Sequence, residues 1–244
     1  MKELLNRQKI NKRNMQIVIL CGGLATRLYP LTKKIPKSMI EIKENPFLEH
    51  QIDLFKKNGI FKIILCIGYK GAQIKKYFGD GKKFDVNIKY SSDAKKLLGT
   101  GGALKKAEYL LEDTFLVMYG DSYLPFNFKK TISFFKKFNK LGLMTVYKNL
   151  NKYEPSNVEV EKNLVKSYSK TRRTPKMKYI DYGVSIFKKE ALKFLPNNQG
   201  CDLSQFHKSL IKKKQLLVYF AEKRFYQIGS PNGLEEFKKY IKKL

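Results

Sequence analysis

Two hydrophobic rhythms alternate along this chain. Short, nearly unbroken apolar runs at 16–20, 62–67, 87–90, 115–119 and 143–147 are too brief for helices and rich in β-branched and aromatic side chains, so they read as buried strands. Between them apolar residues recur at helical spacing, predicting helices over 46–57, 71–78, 102–111 and 128–139, the first opened by Pro46. Strand, helix, strand in steady succession implies right-handed crossovers and a mostly parallel sheet flanked by helices, a Rossmann-like α/β class. Ligands on such sheets bind beyond the carboxyl ends of the strands.

After Asn149 the rhythm changes. A hairpin is predicted at 157–161 and 164–168, turning at Lys162-Asn163, followed by a basic run at 169–176 and a strand at 179–187. A helix at 203–213, strands at 216–220 and 225–228, and a closing helix at 232–242 complete the reading. No repeat or linker separates the halves, so the second is expected to be a lobe on the same sheet within one domain, 15–244. Residues 1–14 are polar and basic: either a flexible or helical extension, or a leader to Met15 as the true start.

Composition narrows the classes. A hydrophobic content of 43% excludes general disorder, and no apolar run reaches the length of a membrane span. Three cysteines without C-x-x-C spacing fit a reducing compartment, hence a cytoplasmic protein. Fifty Lys and Arg against twenty-one Asp and Glu give a formal net charge of +29, which attracts polyanions and makes nucleic acid a partner to weigh. The lysines are scattered over predicted helix faces with no nucleic-acid motif beside them, so a solvated basic surface is the better reading.

Chemistry concentrates where strands end. The run 16–20 opens into Cys21-Gly22-Gly23-Leu24-Ala25-Thr26-Arg27, where paired glycines allow close approach of a ligand and Arg27 adds a fork-shaped cation suited to polyphosphate. Alone, that stretch is equally an ordinary turn with a solvated arginine. It continues to Pro36-Lys37, however, and Gly22 to Lys37 resembles the GGxxTRLxPLTxxxPK signature of the sugar-1-phosphate nucleotidyltransferases. It is neither a dinucleotide fingerprint nor a Walker loop.

The resemblance implies magnesium-dependent transfer of a nucleotidyl group from an NTP to a sugar 1-phosphate, for surface polysaccharide synthesis. It implies nucleotide contacts from Gly22, Gly23, Leu24, Ala25 and Thr26, with Arg27 and Lys37 catalytic. Asp121, in Tyr119-Gly120-Asp121-Ser122 at another strand end, would hold Mg2+, since one carboxylate plus nucleotide phosphates commonly suffices; an Asp capping the next segment is the bland alternative. Gly99, Thr100, Gly101 and Gly102 match the glycine turn that lies against the base, in a form nearest the mannose and heptose guanylyltransferases, which favours GTP over UTP or CTP; a tight turn with close packing is the other reading.

On the sugar side the resemblance assigns Lys170 to the sugar phosphate, with Asp181 as hydroxyl acceptor and Gly183 leaving room for the ring; the family's flanking Glu and Pro are absent here, so Lys170 reads equally as one more solvated lysine. The motif around Gly229 normally carries an Asp as second metal ligand; this chain has Gln227 there. A catalytically silent nucleotide-binding regulator and a basic nucleic-acid-binding protein stay open as other classes, and a homodimer is a compatible assembly. His50 and His207 fall outside every motif.

Overall fold

Strand β1, Gln16–Leu20, is buried along its whole length. Its one polar residue, Gln16, is satisfied through its side-chain amide, which donates to the Leu110 carbonyl at 3.0 Å and accepts the Glu112 N–H at 3.0 Å. The computed structural model describes residues 15–93, 96–197 and 199–244, so the 1–14 extension lies outside the described residues.

β1 pairs in parallel with β2, Lys62–Ile67, and with β4, Thr114–Tyr119, while β3, Asn87–Ser92, adds in parallel outside β2. The second half contributes β5 (Gly142–Lys148), the hairpin β6 (Val158–Glu161) and β7 (Leu164–Tyr168), β8 (Tyr179–Lys188) and β9 (Leu216–Ala221). All nine strands form one sheet in the order β3-β2-β1-β4-β8-β5-β9-β7-β6. The first half, β1 to β4, is wholly parallel, as the crossover pattern requires. Parallel character does not run through the second half: β8 lies between β4 and β5 antiparallel to both, and β9 alone returns parallel to β5.

Alternation along the strands sends odd and even residues to opposite faces. Ile17, Ile19, Ile63, Leu65, Leu116 and Met118 face one core, covered by α1 (Phe47–Lys57), α2 (Gly71–Phe78), α4 (Phe128–Phe135) and α6 (Pro231–Ile241). Val18, Leu20, Ile64, Cys66, Phe115 and Val117 face the other, closed by α3 (Gly99–Lys106) and α5 (Leu203–Lys212). The result is a three-layer α/β domain.

Boundaries differ from expectation by more than one residue at two helices. α3 starts at Gly99, three residues early, because the glycines form its first turn; a 3-10 turn then follows at Ala107–Leu110. α4 stops at Phe135, short of the expected 139. The three cysteines are free thiols, and among the described residues no helix is long and apolar enough to cross a membrane.

Candidate functional site

The carboxyl ends of β1 and β4 open side by side, and two adjoining cavities form there. The first, of about 230 Å³, is lined by Gly22, Gly23, Lys37, Ser38, Asp93, Gly99, Thr100 and Asp121. The second, of about 340 Å³, is lined by Arg27, Asp121, Glu154, Lys170, Arg173, Asp181, Gly183 and Gln227. Asp121 and Tyr119 belong to both walls. Sequence positions from 22 to 227 thus meet at one strand end.

Gly22 works by close approach: a Cβ there would come within 3.0 Å of the Gly68 nitrogen. Gly23 instead faces open space. Leu24, Ala25 and Thr26 line neither cavity; Ala25 takes a left-handed turn (φ 55°) whose carbonyl is held by the Thr32 hydroxyl at 2.9 Å. Their part is to carry the chain into the short helix Thr26–Leu28 that presents Arg27. Arg27 lies in the second cavity rather than beside the glycines.

Lys37 follows Pro36 in a short 3-10 turn, and its Nζ donates to Asp121 Oδ2 at 2.6 Å. The two side chains remain about a fifth and a quarter exposed. Burial alone would raise the Asp121 pKa, but the Lys37 ammonium and, behind it, the Arg27 guanidinium outweigh it and hold the carboxyl below its ordinary range. Asp121 is therefore anionic at neutral pH.

Gly229 marks where the remaining groups converge. A Cβ on it would sit 2.9 Å from Asp121 Oδ2, 3.0 Å from Gln227 Oε1 and 3.2 Å from an Arg27 guanidinium nitrogen. Gln227 reaches this point because its short strand, Tyr226–Gln227, pairs with Ser122–Tyr123 directly after Asp121. Its amide is committed locally: Oε1 accepts the Gly229 N–H, and Nε2 donates to the Ser230 hydroxyl at 2.9 Å. Asp121 and Gln227 bring oxygens to the same point, a donor set that suits a hard divalent cation completing its shell with phosphate and water. Among the described residues no cluster of three or more His, Cys, Asp or Glu could hold a metal without such help.

The glycine turn serves packing more than the sequence indicates. The N–H groups of Gly101 and Gly102 both donate to the Cys201 carbonyl, at 2.9 and 3.3 Å. A Cβ on Gly99, whose φ is +69°, would fall 2.6 Å from that same oxygen. Gly99 and Thr100 still line the first cavity, but the two following amides are not free to read a base.

In the second cavity, Asp181 is a held acceptor. Oδ2 takes the Tyr168 hydroxyl at 3.1 Å, Oδ1 takes the Gly183 N–H at 3.0 Å, and its own N–H donates to Asn157 Oδ1 at 2.9 Å. Gly183, at φ +99°, sits within a break in the β8–β5 register between Asp181 and Ser185, and a Cβ there would meet Ser122 Oγ at 2.8 Å. The irregularity opens the strand towards the cavity, a usual place for a bulge. Lys170 lines the cavity with its Nζ 5.4 Å from the Tyr119 ring centroid, and is paired to Asp202.

No motif in the sequence marks Glu154, Arg173, Asp93 or Asp202, which the structure brings to or beside the cavities. Burial raises the Glu154 pKa against the opposing pull of Arg27 and Arg173, which are near enough to count. Burial also pushes up the Asp93 pKa, although its carboxylate accepts the Leu98 N–H at 3.2 Å. The histidines stand apart as expected. His50 bonds the Ile42 carbonyl at 2.7 Å, and His207 is fully buried against Ser185 and Tyr168.

Similarity to known proteins bears on this arrangement. The family model described as "Nucleotidyl transferase" matches residues 16–243. A D-glycero-alpha-D-manno-heptose 1-phosphate guanylyltransferase of Campylobacter jejuni is 32% identical over 91% of this chain and 98% of its own length. A UTP–glucose-1-phosphate uridylyltransferase of Synechocystis is 27% identical over 78% of this chain and 53% of its own. Among solved structures, HddC from Yersinia pseudotuberculosis, complexed with GMP-PN, superposes with a TM-score of 0.77 at 23% identity, covering 93% of this chain and 99% of that one.

Proposed function

The chain belongs to the nucleotidyl transferase family, and we propose that it transfers a nucleotidyl group from an NTP, with GTP favoured, to a sugar 1-phosphate of heptose or mannose type. The observation that carries this reading is the pair of adjoining cavities whose common wall holds Asp121, one bounded by the Gly22-Gly23 turn and the other by acceptors and cations suited to a phosphorylated polyol. The guanylyltransferase match over nearly both full lengths supports the base and sugar.

In the reaction, a phosphate oxygen of the sugar 1-phosphate attacks the α-phosphorus of the NTP. The bond from that phosphorus to the bridging oxygen breaks, and pyrophosphate leaves with the electron pair. The attacking phosphate is largely dianionic at neutral pH, its second ionisation lying near 6, so no protein base is required. Catalysis reduces to aligning two anions and neutralising charge that grows on the α-phosphate and the departing group.

Lys37 and Arg27 flank Asp121 and supply that neutralisation. Gly22 and Gly23 let the triphosphate lie against backbone, while Lys170 receives the sugar phosphate. Asp181 and Glu154 accept hydroxyls from the ring, and Gly183 leaves it space. Asp121, with the Gln227 amide oxygen, would hold Mg2+, which when bound withdraws charge from the phosphate oxygens. The free thiols fit a reducing cytoplasm.

The deciding experiment is pyrophosphate release with four NTPs against a panel of sugar 1-phosphates. GTP with a heptose or mannose 1-phosphate is expected to give the highest kcat/KM. Tight NTP binding with no pyrophosphate from any pair would favour a silent nucleotide-binding protein instead.

A further inference from the structure

The two cavities are joined by a residue that lines neither. Asp202 precedes α5, and its Oδ1 accepts the Ser204 N–H at 2.8 Å. The same oxygen takes Lys170 Nζ at 3.1 Å, while Oδ2 takes the Thr100 hydroxyl at 3.1 Å and lies 3.3 Å from Lys170. Thr100 in turn accepts the Leu203 N–H at 2.8 Å. Thr100 borders the first cavity and Lys170 the second.

A helix cap alone does not call for a full negative charge, since Asn and Ser cap as well as Asp. Burial opposes ionisation of Asp202, but the Ser204 bonds and Lys170 overcome it and bring its pKa to about 2. Lys170 forms its one ion pair among the described residues with this carboxylate. A lysine stem left unanchored would sample many rotamers and lose that freedom on binding. Anchored here, the ammonium is held over Tyr119, at the rim of the sugar cavity.

Resting on the substrate reading above, we propose that Asp202 is a positioning residue. It fixes Lys170 for the sugar phosphate and ties that cation to Thr100 on the nucleotide wall, so the second substrate is received in register with the first.

Asp202→Asn tests this, because it keeps size and cap while removing the charge. Labelling of Lys170 by an amine-reactive ester, read by peptide mass spectrometry, should accelerate about threefold, the scale of a half-exposed ion pair. KM for the sugar 1-phosphate should rise about tenfold with kcat within about twofold and Tm unchanged, the mark of lost binding alone. In a Lys170→Met background the same change should add nothing further. Unaltered labelling, or a KM increase that persists without Lys170, overturns the proposal. A wild-type chain that turns over no sugar 1-phosphate while the labelling still responds overturns the substrate reading and leaves the pairing standing.

Discussion

Lys37 Nζ and Asp121 Oδ2 lie 2.6 Å apart, joining residues 84 positions distant in the chain. Neither group is fully withdrawn from water. If the proposed reaction holds, an incoming phosphate and its metal would each displace one member of this pair, so that neither charge waits unpaired in their absence.

Lys37→Ala and Arg27→Ala should each lower kcat/KM by about a hundredfold, the usual effect of losing one contact made to developing charge. The fold should lose less than about 1 kcal/mol, because both residues sit in single short 3-10 turns and a partly exposed ion pair contributes little. Steady-state kinetics beside a denaturant melt check this. Unchanged turnover in either variant removes that residue from the site.

Asp121→Asn should nearly abolish turnover with Tm shifted by only a few degrees, and EDTA should stop the wild type until magnesium is returned. Gln227→Asp adds an anion beside Asp121 and near the N-terminus of α6, a position that favours negative charge. It should reduce the magnesium needed for half-maximal rate. A higher sugar-phosphate KM with the same magnesium dependence would assign Gln227 to the sugar instead.

The glycines give a contrast without any ligand. Gly99→Ala must place a methyl against the Cys201 carbonyl in a left-handed backbone, and should cost about 2 kcal/mol or more. Gly23→Ala points into open space and should cost less than about 0.5 kcal/mol, yet raise the NTP KM. Equal Tm losses in a thermal melt would contradict the packing geometry.

His207 sets an acid limit on stability. Burial lowers its pKa from 6.5 to about 4, outweighing the attraction of Asp181. The unfolded chain therefore binds a proton that the folded chain refuses, so stability is complete above about 6.5 and falls as the pH drops towards 4. The loss is at most about 3 kcal/mol. His207→Leu should flatten that part of the stability profile; a slope unaffected by the substitution would place the acid sensitivity elsewhere.

Legibility followed sequence distance. β1, β2 and α2 were readable to the residue, because their patterns are local. That Gly22, Gly23, Lys37 and Asp121 share one cavity wall agrees with the strand ends and contiguous signature that single them out. Asp202 was not: its meaning lies in contacts to Thr100 and Lys170, 102 and 32 positions away. Glu154 sits in an irregular loop with no periodicity to mark it. The glycine run looked like a ligand loop, but Cys201, which occupies two of its amides, is a hundred residues further on. The antiparallel course of β8 was equally hidden, since an apolar run carries no sign of its direction.

That reversed strand has a consequence for biosynthesis. Until Tyr179–Lys188 has emerged from the ribosome, β4 is an unpaired edge, and β4 is the strand that leads into Asp121. A nascent chain ending before it would expose a flat apolar border, of the kind that recruits other chains. Contacts this distant also form slowly. The chain thus passes through a window of vulnerability lasting about sixty residues of translation, from β4 to β8. Covering that edge and bringing Asp181 and Gly183 to the second cavity are one event, because β8 carries both residues.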